Sequence, residues 1–289
     1  MILPDGRRLG YGVYGDPAGF PIIDFHGIPG SRREAALMAE LLSREDVCFI
    51  GFDRPGYGRS SSKKTYHITD IPEDLIELAD HLELKKFAIL GYSGGGPFAL
   101  ACAHQIPQRL TAVGIVSGVG PVDIGSAGMH ENNRKKFNLA QRFPLVAKIL
   151  LTFAFSSLQR NPSKLERELR KIWAQMPAPD QKTLQDERYA AGILAITKDA
   201  ITRRVTGWVN EELLMTSAWG FNLKDIDFPA IFLWHGGQDR NVPLVMGKAV
   251  ADTLKCCRAS FLPEEGHLSL LYNHGVEIIT TLITNGMDR

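Results

Sequence analysis

The chain has 289 residues, enough for one large domain or one domain carrying an insertion. Its 44% hydrophobic and 22% charged residues are ordinary for a globular protein, and a net charge of +1 gives no sign of a nucleic-acid or anionic-membrane partner. The basic clusters (Arg32-Arg33, Lys63-Lys64, Arg134-Lys135-Lys136, Arg203-Arg204) are short and scattered and read as solvated surface.

The four cysteines fit neither a zinc site nor a disulfide framework, and Cys48 and Cys102 sit in apolar patterns as small core residues. Cys256 and Cys257 are adjacent. Met1–Gly6 lacks a basic start followed by an apolar core, and no run is long enough to span a membrane. A reducing, cytoplasmic setting is expected.

In chain order, Asp5-Gly6 signals a hairpin turn that joins a stub of strand to residues 7–14. A buried strand at Pro21–Phe25 ends in His26-Gly27-Ile28-Pro29-Gly30-Ser31, and residues 33–43 are helical by period. The strand Val47–Phe52 ends in Asp53-Arg54-Pro55-Gly56-Tyr57-Gly58, and Asp70–Leu82 carries apolar residues at helical spacing. A strand from Lys86 runs into Gly91-Tyr92-Ser93-Gly94-Gly95, a helix follows from Gly96, and Leu110–Val116 is a further strand. Strands alternating with helices predict an α/β fold with a mostly parallel sheet covered on both faces.

The alternation stops near Gly120-Pro121. Residues 122–222 read as helices only: apolar Pro144–Leu158, Ser163–Met176 with Ser163 as its cap, and Asp180–Lys198. The sheet pattern then returns with Ala230–Trp234, helix Leu244–Leu254, strand Ala259–Leu262 and helix Leu268–Ile283. The expected organisation is one core domain, 1–121 and 223–289, interrupted by a helical cap over 122–222.

The stretch Gly91–Gly95 fits G-x-S-x-G between a strand and a helix. That tight turn exposes the serine at a helix N-terminus, where developing negative charge is favoured. A serine nucleophile needs a histidine base and a carboxylate to orient it. Of eight histidines, only His267 lies in a loop directly after a returning core strand. Asp239, after the strand ending at Trp234, falls between serine and histidine in order and is the favoured acid; its other reading is a helix or turn cap ahead of Asn241-Val242-Pro243. Asp123 is the alternative acid. Two backbone N–H groups are needed for the oxyanion: Gly94, after the nucleophile, and Ile28, since Pro29 has no N–H.

These segments together, with Gly266-His267, resemble the α/β-hydrolase fold group that includes prolyl iminopeptidases, cofactor-free haloperoxidases and small esterases. The resemblance implies Ser93 as nucleophile, Asp239 as acid, His267 as base, Ile28 and Gly94 as oxyanion hole, and the insert as a lid. It implies that Asp53-Arg54-Pro55-Gly56 stabilises loops near the site. It argues against dehalogenase or epoxide-hydrolase chemistry, which this fold runs with aspartate at the serine position.

The expected activity is cleavage of a small, lipophilic carboxylic ester with no metal or organic cofactor. The apolar residues Leu145–Phe155 either pack the lid onto the core or line a dry acyl pocket. An aminopeptidase or amidase using the same triad is the alternative. It would need lid carboxylates from among Glu131, Glu166, Glu168, Asp186, Glu187, Glu211 and Glu212 to hold an ammonium. A slow-turnover ligand receptor of the same fold is a third reading. The partner expected in every case is a small molecule.

Overall fold

A computed structural model describes residues 1–287. The Asp5-Gly6 turn closes on a single antiparallel bridge between Ile2 and Arg8, and the first strand proper is β1, Tyr11–Gly15. Then come β2 (Phe20–Phe25), α1 (Arg33–Leu42), β3 (Val47–Phe52), α2 (Ile71–His81), β4 (Phe87–Tyr92), α3 (Gly96–Gln105) and β5 (Leu110–Val116). Six helices follow: α4 (Glu131–Arg142), α5 (Pro144–Arg160), α6 (Pro162–Trp173), α7 (Ala178–Thr183), α8 (Glu187–Ala200) and α9 (Thr206–Leu214). The chain ends with β6 (Ile231–Gly236), α10 (Leu244–Thr253), β7 (Arg258–Leu262) and α11 (His267–Met287).

The seven strands form one sheet in the order β1-β3-β2-β4-β5-β6-β7, parallel except for β1. Every residue of β3, β4, β5 and β6 is buried, because helices cover both faces; this is why these strands read as unbroken apolar runs with no alternation. Strand order reverses direction at β2 and β4, so the crevice beyond their carboxyl ends is where such a sheet presents chemistry.

Among the described residues no strand interrupts α4–α9. These helices have a small core of their own, in which Ala147, Leu151, Phe155, Leu165, Trp208 and Val209 pack together. The rings of Phe155 and Trp208 stack with centroids 3.7 Å apart. Tyr57, from the loop after β3, is buried in the same cluster and joins the insert to the sheet domain.

Two expectations are corrected here. Ser163 is not the cap of α6; Asn161 is, its side chain accepting the Lys164 N–H at 2.9 Å. Pro162 occupies the first helical position, where its missing N–H costs nothing, so the cap falls one residue earlier at a side chain worth about 1 kcal/mol. The single helix expected over 180–198 is two, α7 and α8. Asp186 breaks the run by accepting from the N–H groups of Arg188 (2.9 Å) and Tyr189 (3.4 Å), restarting the helix at Glu187.

Candidate active site

Four loops at carboxyl ends of parallel strands converge. The loop after β4 carries Ser93, whose φ of 53° lies in the left-handed region. The neighbours that permit this turn are small for a physical reason: a Cβ on Gly95 would collide with the Phe25 carbonyl oxygen, and one on Gly91 would lie 2.8 Å from Ala99 Cβ. Strained non-glycine backbone of this kind persists only where packing on all sides fixes it.

His267 is the first residue of α11. Its Nε2 lies 3.1 Å from Ser93 Oγ and its Nδ1 2.7 Å from Asp239 Oδ2. Asp239 follows β6, and its other oxygen, Oδ1, accepts the N–H groups of Asn241 (2.8 Å) and Val242 (2.9 Å). The carboxylate is thus held by its own turn with one oxygen and faces the imidazole with the other. Burial pulls the His267 imidazole down, but the adjacent Asp239 carboxylate outweighs it and the ring ends above its ordinary value. Nearby His235 is driven the other way, below its ordinary value, by burial.

Asp123, the other acid considered, is exposed on a short 3₁₀ turn and lines a separate surface hollow with Trp219 and Phe221; His267 Nδ1 bonds Asp239 instead. The turn from Pro121 carries Asp123 out over the surface. Ile28 and Gly94 line the same cavity as Ser93 and His267. That cavity, of about 150 Å³, is lined on the insert side by Phe137, Lys136, Glu212 and Met215. None of the apolar residues over 145–155 lines it: Ala147, Leu151 and Phe155 pack the insert, and the others face outward.

Arg54 is fully buried and runs between the sheet domain and the insert. Its Nη1 donates to the His26 carbonyl at 2.6 Å, and its Nε and Nη2 each donate to Glu211 of α9 at 2.7 Å. The guanidinium therefore holds the loop leading to Ile28 from below, and Tyr66 adds a hydroxyl to Glu211 at 3.1 Å. Arg32 makes a second link, from Asp53 (2.8 Å) to Asp199 of α8 (2.6 Å).

Two features escaped the sequence reading. Asp180 of α7 is fully buried and caps α11 from outside: it accepts from the backbone N–H groups of His267 (3.0 Å), Leu268 (2.8 Å) and Ser269 (2.9 Å). Its carboxylate answers the positive end of that helix, and nothing local in the sequence announces a cap supplied 87 residues away. The second feature is an acidic pair beneath the loop that follows β2. Glu34 Oε2 accepts the Gly27 N–H at 3.2 Å, while its other oxygen and both oxygens of Asp24 are buried without partners among the described residues. Burial pushes the Glu34 carboxyl up to about 7 and Asp24 well above its usual range. The signal was present in Ile22-Ile23-Asp24-Phe25, an acid inside an apolar strand.

The sheet, the strained serine turn and the converging loops define an α/β-hydrolase architecture. The sequence profile for the alpha/beta hydrolase fold matches residues 21–273, and the chain belongs to that family. An uncharacterized hydrolase of Bacillus subtilis, YugF, is 24% identical over 91% of this chain and 89% of that protein. A putative 2-succinyl-6-hydroxy-2,4-cyclohexadiene-1-carboxylate synthase of the same organism is 32% identical, over 39% of this chain and only 42% of its own length. Among solved structures, a carboxylesterase of Nitrososphaera gargenis superposes with a TM-score of 0.69 at 18% identity, covering 100% of this chain and 98% of that one. At that identity the likeness is one of fold.

Proposed function

We propose that the protein is a serine hydrolase that cleaves a small carboxylic ester by acyl transfer. The observation that carries the reading is the continuous line from Ser93 Oγ to His267 Nε2 (3.1 Å) and from His267 Nδ1 to Asp239 Oδ2 (2.7 Å). His267 takes the serine proton as Oγ attacks the carbonyl carbon, and Asp239 stabilises the imidazolium that forms. The N–H groups of Ile28 and Gly94 receive the oxyanion. His267 returns the proton to the leaving alkoxide. Water, deprotonated by the same imidazole, then opens the acyl-enzyme, releasing the acid and restoring Ser93.

The cavity argues for a compact substrate of mixed character. Ile28, Val119, Phe137 and Met215 offer apolar wall, while Asn133, Lys136, Glu212 and Asn241 offer polar groups. The aminopeptidase alternative is weaker on one specific ground. Of the carboxylates once available for an ammonium, Glu212 lines the cavity but one of its oxygens already receives Lys136 (3.1 Å) and Trp208 Nε1 (3.0 Å), so its charge is answered. Glu211 is wholly engaged with Arg54 and Tyr66.

Turnover of p-nitrophenyl acetate and butyrate by wild type and Ser93→Ala tests the reading. The variant is expected to lose at least about a thousandfold in kcat with its fold unchanged. Equal rates would remove Ser93 from the reaction.

A further inference from the structure

Large apolar side chains left in solvent are concentrated on one surface of the insert. Phe143, Leu145, Val146, Ile149, Leu150 and Phe153 are all exposed, Leu145, Ile149 and Phe153 by 77%, 70% and 80%. From Leu145 to Phe153 they recur at i, i+1, i+4, i+5 and i+8 of α5 and so share one side of it, opposite the buried Ala147, Leu151 and Phe155. Single exposed apolar residues are ordinary; a contiguous row of this kind on a helix is not.

The charge around this row is equally one-sided. Residues 131–173 hold ten Lys and Arg against three Glu, a net +7 in a chain whose total is +1. All three glutamates are already engaged by neighbours: Glu131 by Lys135, Glu166 by Arg170 and Glu168 by Lys171. Arg142, Lys148 and Arg160, at the ends and edge of α5, have no ion-pair partner among the described residues. The α5 segment itself contains no acid.

We propose that this outer face of the insert seats on an anionic lipid surface, with the α5 row immersed among acyl chains and Arg142, Lys148 and Arg160 at the headgroups. A row running about 15 Å along the helix suits a helix lying in the interface plane. A second copy is the poorer occupant, because it would bring one net +7 surface against another with no free carboxylate to answer it. Nucleic acid would match the charge but would leave Leu145, Ile149 and Phe153 without an apolar partner. The inference is independent of the proposed chemistry, and binding is measured without turnover.

The test is co-sedimentation of the full chain with vesicles of phosphatidylcholine alone or with 30% phosphatidylglycerol. Tight binding to the anionic vesicles, weakening with salt, is expected. The variant L145S/I149S/F153S and the variant R142E/K148E should each bind at least tenfold more weakly. Circular dichroism spectra and thermal melts matching those of wild type would show that both variants fold. No binding by wild type, or equal binding by folded variants, overturns the proposal. So does a wild-type dimer in light scattering that the triple variant dissolves, or salt-sensitive binding to duplex DNA that the triple variant keeps.

Discussion

Asp239 admits two readings from sequence, turn cap and partner of the histidine, and one carboxylate satisfies both, an oxygen each. Asp239→Asn should keep the cap, present the wrong group to Nδ1 and lower kcat on the order of 10⁴-fold. It should also move the acid limb of the pH–rate profile to lower pH, since Asp239 holds the imidazole above its usual value of 6.5. Asp180 raises the same ring from the far side and should act in the same direction when neutralised. Asp180→Asn is expected to shift the limb down modestly with kcat partly retained, whereas Asp180→Ala removes all three backbone bonds and lowers kcat further. A pH–rate profile of each variant checks this; unshifted limbs would deny the carboxylate any influence on the His267 imidazole. Glu34 supplies a stability test. A carboxyl raised from 4.5 to about 7 contributes stability below pH 4.5 that is lost as pH rises through 7. Urea midpoints for Glu34→Gln should therefore fall less than wild type between pH 5 and 8.

At the level of elements, β3, β4, β5 and β6 were legible because a strand covered on both faces leaves an uninterrupted apolar word in the sequence. The insert was harder. Periodicity says which side of a helix is apolar but not what lies against it, and α5, with apolar residues on more than one side, proves buried only along the narrow line of Ala147, Leu151 and Phe155. The link from Arg54 to Glu211 was invisible for the same reason, since 157 residues separate its partners. Glu211→Gln should destabilise by about 3–5 kcal/mol, because it leaves a buried guanidinium without its counter-charge. An apolar replacement of both, Arg54→Met with Glu211→Leu, should recover much of that loss in urea denaturation. Recovery would identify the cost as an orphaned charge; a double variant as unstable as the single one would point to packing.

Over the whole molecule, the near-neutral total hides a division. The segment 131–173 carries net +7, so the rest of the chain carries the compensating negative charge. Total charge excluded an anionic partner where regional charge proposes one, because attraction at a surface is set within about a Debye length and not by the sum over the molecule. The division predicts that anion-exchange and cation-exchange resins will both retain the protein at low salt near its pI of about 7.7.

The backbone cap that Asp180 gives α11 comes from the insert, while the imidazole it steadies belongs to the sheet domain. Under the proposed function, a displacement of α7 would withdraw three backbone hydrogen bonds from the start of α11 and loosen the residue proposed as base, tying the position of the insert to the proton transfer proposed for Ser93.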